Sequence, residues 1–206
     1  MKKLIGIVGF IGSGKGTVSD YLVDNYGFKT ESFAKPVKDT ASVVFGWDRA
    51  LLEGNTKESR EWREQLDGWW ATALDIPNLT PRYMLQQIGT DIFRNNFHQD
   101  IWIKSLEKRL LDSNNNNIIL SDCRFKNEVE TIKQLGGIII RTKRGLEPEW
   151  FNDALLINAG QKEGIIEGVH PSEYSWIGCD IDHTIDNDTT LEELYFNIDK
   201  YMYEIL

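Results

Sequence analysis

The sequence predicts an α/β domain in which a parallel sheet is covered on both faces by helices. Strand-like and helix-like segments alternate along the chain, which is typical of strands joined by crossover helices. The strand-like segments are short and continuously apolar, as expected for strands that are buried on both faces. A chain of 206 residues is long enough for one such domain with room for an insertion.

The first elements follow from apolar runs and helical spacing. Residues 3–8 are predicted to form a buried strand that leads into a glycine-rich turn, and residues 14–25 have helical spacing. A second short strand is predicted over 28–33, and the pattern is mostly helical from 36 to 97. Within that stretch the Thr-Pro pair at 80–81 indicates a helix start, because an N-cap precedes a proline at the first helical position.

The second half of the chain continues the alternation. A helix is predicted over 101–111, a buried strand over 118–120, a helix over 128–135 and a third buried strand over 138–140. The tail from residue 190 is predicted to be an amphipathic helix, since Leu191, Leu194 and Ile198 share a face with other apolar residues. The Thr-x-x-Glu pattern of a capping box marks its start.

A phosphate-binding loop is predicted between the first strand and the first helix. Residues 9–17 read Gly-Phe-Ile-Gly-Ser-Gly-Lys-Gly-Thr, and the flanking strand and helix are the context that such a loop requires. Its glycines let backbone N–H groups surround a phosphate, and the helix N-terminus adds a partial positive charge. The expected ATP-binding residues are Gly12, Ser13, Gly14, Lys15, Gly16 and Thr17. The domain is therefore predicted to have the P-loop NTPase fold.

The lysine of this loop and the residues after it indicate which class of P-loop protein the chain resembles. Lys15 supplies a mobile ammonium for the β- and γ-phosphates of ATP and is a predicted catalytic residue. The hydroxyl that usually follows the lysine arrives one place later, at Thr17, because Gly16 intervenes. This Gly-Lys-Gly-Thr ending resembles nucleoside monophosphate kinases, whereas GTPase switches and many motor ATPases have Ser or Thr directly after the lysine.

The strand at 118–120 is followed by a carboxylate and then by a cation. Because ligands of an open parallel sheet lie beyond the carboxyl ends of its strands, Asp122 and Arg124 are expected near the phosphate loop and in catalysis. Asp122 is predicted to hold Mg²⁺, directly or through water. The alternative is that Asp122 only begins a turn. Acidic residues at 128 and 130 open the next helix, where at least one is expected to serve the helix dipole.

Composition limits the partners that the protein can have. The formal net charge of −9 is unfavourable for holding duplex DNA through its phosphates. Apolar runs are far shorter than the roughly 20 residues that span a bilayer, so no membrane contact is expected. The two cysteines do not make a disulfide framework and suit a reducing cytoplasm, that of the host if the chain is viral. Small-molecule substrates are expected, and a homodimer is left open.

Five further blocks, taken in order, resemble the deoxynucleoside monophosphate kinases of tailed bacteriophages. They lie at residues 33–39, 79–91, 100–102, 121–128 and 170–173, and the resemblance runs from residue 5 to about residue 200. It implies a P-loop kinase fold, Mg²⁺, and transfer of the ATP γ-phosphate to a deoxynucleoside monophosphate. The residues that it places around the acceptor are Lys35, Arg82, Gln87, Thr90 and Trp102, with Arg124 and Glu128 near it.

The chemistry of such a transfer calls for cations and needs no general base. The phosphate of a monophosphate has a second pKa of about 6, so it is already mostly a dianion at neutral pH. The transition state spreads negative charge over its oxygens, which cations in a water-poor site stabilise. The candidate cations are Lys15, Arg124, Arg82 and Lys35, with Arg141 and Arg144 on the ATP side.

One kinase domain with two additions is expected. Its core covers about residues 1–35, 98–144 and 179–206, and a helical acceptor-binding lobe covers about 36–97. Residues 145–178 are rich in glycine and weakly periodic. They are interpreted as a mobile lid over the ATP phosphates, or else as a rigid excursion anchored by aromatic residues.

Some alternatives stay open. Another small-molecule kinase, for instance one that phosphorylates a coenzyme hydroxyl, needs a base, for which Asp39 or Asp122 would have to serve. A switch or a DNA-linked ATPase is disfavoured, because the sequence has no Asn-Lys-x-Asp guanine motif and no basic face. Trp62, Trp69 and Trp70 fit either stacking on a base or packing of the helical lobe.

Overall fold

The computed structural model of the chain describes residues 3–113 and 115–205. Its backbone contacts divide these residues into two compact units. The first, which we call the sheet unit, belongs to the segments Met1–Ser32 and Ser113–Leu206, and the second, the helical unit, is Phe33–Asp112. The residues outside the description, all in segments that the sequence assigns to the core, are Met1, Lys2, Asn114 and Leu206.

The described part of the sheet unit contains five parallel strands in the order β2-β3-β1-β4-β5. The strands are β1 (Lys3–Val8), β2 (Lys29–Glu31), β3 (Asn117–Leu120), β4 (Ile138–Lys143) and β5 (His183–Asp186). Ile5 at the centre of β1 lies opposite Ile119 of β3 and Ile138 of β4. The parallel sheet predicted from continuous apolar strands is therefore confirmed.

The strand β5 is missing from the sequence-based expectation. Only Ile185 of this strand is buried, and the residues on either side of it are exposed. The strand pairs with β4 alone, at the edge of the sheet, where one buried face is enough. An edge strand of this kind does not show the apolar run by which the central strands are found.

Helices cover both faces of the sheet. The helices of this unit are α1 (Lys15–Tyr26), α7 (Lys126–Gln134), α8 (Phe151–Asn158) and α9 (Leu191–Ile205). Ile5 and Ile7 of β1 share one core with Leu22 of α1 and Ile198 of α9. On the opposite face a Cβ on Gly6 would lie 2.6 Å from Ile132 Cδ1 of α7, so α7 approaches as closely as it does because this residue is glycine.

The helical unit consists of short helices around a second apolar core. They are α2 (Lys35–Phe45), α3 (Lys57–Arg63), α4 (Gly68–Ala73), α5 (Pro81–Gln86), a π-helix (Gln87–Asn95) and α6 (Ile101–Asp112). The predicted start of α5 is confirmed, because the Thr80 side chain accepts a hydrogen bond from Tyr83 N. The backbone contacts place α6 in this unit, although the sequence assigns residues 98–112 to the core.

Tryptophans pack the inside of the helical unit. Trp47 stacks on Phe45 with ring centroids 4.4 Å apart, and its indole nitrogen donates to Asp67 Oδ2 at 2.8 Å. Trp70 donates to Phe45 O at 3.0 Å, whereas Trp69 is 69% exposed. The tryptophans are expected either to stack on a base or to pack the helical lobe, and these contacts are packing contacts.

Residues 145–178 form a packed excursion in this structure. The helix α8 lies within this segment, and Asn158 at its end donates to Tyr174 O and Ile177 O at 2.8 and 2.9 Å. Trp176 is buried and lies 5.2 Å from the ring of Phe10 in the phosphate loop. This anchoring by aromatic residues agrees with the interpretation of the segment as a rigid excursion. Its motion as a lid stays a prediction.

We expect Gly9→Ala to destabilise the protein, because β1 and β4 meet closely at this residue. Gly9 has a φ of +145°, and a Cβ would lie 2.4 Å from Thr142 O. Backbone strain of this kind costs on the order of 1–3 kcal/mol, so we expect a loss of at least about 2 kcal/mol in urea unfolding.

The matched control for this variant is Gly16→Ala, in the same loop. A Cβ on Gly16 meets no described atom within 4 Å outside its own helix backbone, and alanine favours the first turn of α1. Its unfolding free energy should stay equal or rise, and an equal loss in both variants would show that crowding at Gly9 is unimportant.

Candidate active site

The phosphate loop is shaped by glycines in conformations that other residues avoid. Gly12 and Gly14 have φ values of +78° and +100°, in the left-handed region where a Cβ is unfavourable. Lys15 Nζ reaches back across the loop and donates to Gly9 O and Phe10 O, each at 2.8 Å. The ammonium is therefore held over the loop that is predicted to surround the ATP phosphates.

The surroundings of Lys15 lower its pKa and so favour the neutral amine. Burial, and secondarily the nearby Arg124 guanidinium, lower the pKa of Lys15 from its ordinary value of 10.5 to about 8, while the Glu173 carboxylate opposes this shift. Such an ammonium is favoured again when an anion comes close to it. A perturbed lysine in a glycine-rich loop is typical of a functional site.

The loop is also held from β5 by Asn187, a residue that the sequence analysis missed. Asn187 Nδ2 donates to Ser13 O at 2.9 Å, and Asn187 N donates to Lys143 O at 2.7 Å. A Cβ on Gly14 would lie 2.3 Å from Asn187 Nδ2. The only sequence signal for this residue is its place just after an edge strand, and that strand itself was not predicted.

Asp122 lies where the strand order expects it, just past the carboxyl end of β3 and thus on the same edge as the phosphate loop. It is half-buried, and its Oδ2 accepts a hydrogen bond from Ser32 Oγ at 2.7 Å. Ser32 directly follows β2, so adjacent strand ends supply this pair. The carboxylate is thereby oriented at the edge of the sheet.

Arg124 is fixed by its backbone as well as by its side chain. Glu128 Oε2 accepts hydrogen bonds from the backbone N–H groups of Arg124 and Phe125 at 2.8 and 3.1 Å. Glu128 is only 2% exposed, and in this structure it caps the start of α7. At least one acidic residue at the start of this helix is expected to have a structural role, and Glu128 has one. Its contact with an acceptor, which the resemblance implies, stays a prediction.

The two arginines expected on the ATP side differ in their surroundings. Arg141 Nη2 lies 2.6 and 2.7 Å from the two carboxylate oxygens of Glu147. Its guanidinium carbon lies 5.1–5.9 Å from the ring centroids of Phe10, Phe151 and Trp176. Arg141 therefore lies in a cation–π cluster that joins the phosphate loop to residues 145–178.

Arg144 lies just beyond β4 and is exposed to solvent. Within the described residues its side chain makes none of the ion pairs of the sheet unit. Of the two arginines, Arg144 is therefore the one that is accessible to an anion from solvent. Its role in ATP binding stays a prediction.

The residues expected around the acceptor lie in the helical unit and already have partners. Lys35 Nζ lies 2.6 Å from Asp39 Oδ2, and Arg82 Nε lies 3.2 Å from Glu64 Oε1. Both cations are partly exposed, so an acceptor phosphate competes with a surface ion pair that contributes little.

The π-helix carries two more of these residues. Gln87 Nε2 donates to Asp91 Oδ2 at 2.7 Å, and Thr90 is half-buried on the next turn. Trp102 is 5% exposed, and its indole nitrogen donates to Gly89 O at 2.7 Å. Trp102 therefore supports the π-helix from inside, and any contact with the acceptor stays a prediction. π-helical turns are rare and occur frequently at functional sites.

The fold and the loop together define a class of protein. A parallel sheet in this order, with a glycine-rich phosphate loop between β1 and α1, is that of a P-loop nucleotide-binding protein. Among solved structures, a dephospho-CoA kinase from Campylobacter jejuni aligns with 98% of this chain and 97% of its own, at 17% identity and a TM-score of 0.48.

Sequence comparison gives the family within this class. The family model described as deoxynucleotide monophosphate kinase matches residues 70–198. A protein of Acanthamoeba polyphaga mimivirus described as a deoxynucleotide monophosphate kinase is 31% identical over 210 residues, 95% of this chain and 93% of its own length. The deoxynucleoside-5′-monophosphate kinase of Escherichia phage T5 is 28% identical over 223 residues, 84% of each chain. The chain belongs to the deoxynucleotide monophosphate kinase family.

No helix in the described ranges is both long and apolar enough to cross a membrane. Among the same residues, no group of three or more His, Cys, Asp or Glu side chains is placed to hold a metal ion.

The lowered pKa of Lys15 predicts how ATP affinity depends on pH. Below pH 8 the ammonium is mostly charged and attracts phosphate, and above pH 8 the free protein loses this charge. We expect the Kd for ATP, measured by calorimetry, to rise as the pH increases from 7 to 9, by up to about tenfold per pH unit.

The control for this prediction is Lys15→Met, which removes the titrating group. Its ATP affinity should be weak and nearly independent of pH over the same interval. A wild-type protein with equally flat affinity would show that Lys15 does not titrate in this range or does not contact ATP.

Proposed function

We propose that this chain transfers the γ-phosphate of ATP to a deoxynucleoside 5′-monophosphate, giving ADP and a deoxynucleoside diphosphate. The observation that carries this proposal is the glycine-rich loop with Lys15 over it and Arg124 close enough to lower its pKa, in a chain of this family. Two cations beside a phosphate loop suit the charge of a transferring phosphoryl group. Such a product contributes to the supply of nucleotides for DNA synthesis.

The proposed reaction places few demands on proton transfer. An acceptor monophosphate is mostly a dianion at neutral pH, so its oxygen attacks without a general base. The protein then has to position two anions and stabilise the negative charge of the transition state. Lys15 is proposed to bind the ATP phosphates and Arg124 the phosphoryl group in transfer.

The helical unit is proposed to bind the acceptor. Its cations Lys35 and Arg82 are partly exposed and held only by surface ion pairs, so a phosphate with two negative charges can displace their partners. Gln87 and Thr90 on the π-helix are proposed to make polar contacts with the nucleoside.

Asp122 fits the requirements of a magnesium site. Mg²⁺ keeps several waters and commonly takes one or two protein carboxylates together with substrate phosphates. Asp122 offers one oriented carboxylate at the sheet edge, which matches this need for few protein ligands. When bound, the ion supplies positive charge to the phosphate oxygens.

The partners proposed for the chain are therefore small anions. The net charge of −9 argues against a duplex DNA partner, since converging cations are confined to a few sites. The described cysteines Cys123 and Cys179 are free thiols, and the phage and mimivirus relatives favour the cytoplasm of an infected host.

The central test of the proposal is ADP release with a panel of acceptors. Deoxynucleoside and ribonucleoside monophosphates are compared with nucleosides and dephospho-coenzyme A, each with ATP and Mg²⁺. We expect turnover with one or more deoxynucleoside monophosphates. Phosphorylation of a hydroxyl acceptor alone would replace the proposal with another small-molecule kinase, and no acceptor-dependent ADP would remove the kinase function.

The same assay tests the acceptor site through Arg82→Ala. Loss of one charged hydrogen bond should raise the KM for the monophosphate about tenfold while the KM for ATP stays within about twofold. Lys57→Ala, at an exposed lysine of the same unit, is the matched control. A change confined to the KM for ATP would mean that the two substrate sites are assigned the wrong way round.

Asp122→Asn should weaken the dependence on Mg²⁺, because asparagine keeps the shape of the side chain and removes its charge. We expect the magnesium concentration at half-maximal activity to rise about 10- to 100-fold, as for other losses of a metal-orienting group. Glu130→Gln, at an exposed carboxylate on α7, should leave this midpoint unchanged. If Asp122→Asn behaves like the control, Asp122 only terminates its strand.

A further inference from the structure

Glu173 is fixed in place by its own segment. It ends the short 3₁₀ turn Pro171–Glu173, and His170 accepts a hydrogen bond from Ser172 N at the start of that turn. The carbonyl oxygen of Glu173 accepts from Trp176 Nε1 at 3.0 Å. Because Trp176 packs against Phe10 of the phosphate loop, the backbone of Glu173 is tied to the loop through one buried ring.

The side chain of Glu173 reaches Arg124. Arg124 Nη1 donates to Glu173 Oε1 at 2.7 Å, and the two side chains are 40% and 20% exposed. A guanidinium has five N–H donors in a rigid plane, so one contact fixes its direction and leaves the other donors to bind phosphate. No second side-chain partner of this guanidinium occurs among the described residues.

The Glu173 carboxylate is hydrogen-bonded to one cation, Arg124, and acts electrostatically on a second, Lys15. Arg124 lowers the pKa of Lys15, whereas Glu173 raises it, so all three charges act on one another. Two neighbouring cations repel each other, and a carboxylate that attracts both of them offsets part of that repulsion. Arg124 and Glu173 are both charged groups that act on Lys15 in this structure.

We propose that Glu173 is a positioning residue that holds the Arg124 guanidinium toward the transferring phosphoryl group and keeps two cations compatible at one site. The inference rests on the proposed phosphoryl transfer. It assigns a purpose to the block at 170–173, and it explains why residues 145–178 are anchored on the phosphate loop. Glu173 then acts through Arg124 and does not itself contact a substrate.

Two variants separate the geometry of Glu173 from its charge. Glu173→Gln keeps a hydrogen-bond acceptor and loses the charge, and Glu173→Asp keeps the charge and shortens the reach. Both should lower kcat about 10- to 100-fold, the effect of a misplaced catalytic group, with each KM within about twofold. Glu163→Gln, at an exposed carboxylate of the same segment, is the control with unchanged kinetics.

The pH profile of ATP binding gives a readout that a merely structural role would not change. The free-protein titration seen in the pH dependence of the Kd for ATP should move to lower pH in Glu173→Gln, because Lys15 loses a carboxylate that raises its pKa. In Glu173→Asp it should stay near the wild-type value. Circular dichroism shows whether each variant is folded. If Glu173→Gln does not fold, the kcat of Glu173→Asp still tests the positioning role.

The outcomes separate this inference from the proposed function. A Glu173→Gln protein with wild-type kcat, or with higher kcat, overturns the positioning role, the second result meaning that Glu173 blocks Arg124. An unmoved titration overturns the electrostatic part. If wild-type protein transfers phosphate to no monophosphate, the proposed function fails, whereas the shift in ATP binding still reports whether Glu173 acts on Lys15.

Discussion

Backbone hydrogen bonds from β1 to β3 on one side and to β4 on the other hold three strand ends at one edge of the sheet. The chain leaves β1 into the phosphate loop and leaves β3 toward Asp122 and Arg124. Residues more than a hundred positions apart in sequence are thereby brought to the same edge. A slip of one residue in this register would turn the buried side chains of a strand to the other face, so the apolar core also fixes the site.

The loop depends on neighbours that lie far along the chain. Asn187 holds it from β5, and Phe10 joins it to Trp176 and to the Arg141 cluster. Each contact restricts a segment that contains several glycines and is intrinsically flexible. The order of the loop is therefore a property of the whole sheet unit and not of its own short sequence.

Much of this arrangement could be predicted because its signals are local. The phosphate loop is one continuous motif, and β1, β3 and β4 are apolar runs. Asn187 and β5 were missed, since an edge strand needs one buried side chain and a polar residue after it resembles any loop residue. The π-helix has the periodicity of an ordinary helix, and α8 lies in a stretch whose glycines mask it. The contact of Glu173 with Arg124 spans 49 positions, a pairing that no local pattern specifies.

The depressed pKa of Lys15 links ligand binding to protons in solution. In the free protein the group is about half charged at pH 8, whereas an unfolded chain holds it near its ordinary value of 10.5. Unfolding between these pH values therefore takes up a proton, so this group makes the native state relatively more stable as the pH rises through that interval. Polyphosphate binding favours the ammonium in the same way. Near pH 8, capture of the nucleotide should be accompanied by uptake of a fraction of a proton, and its measured heat will depend on the ionisation enthalpy of the buffer.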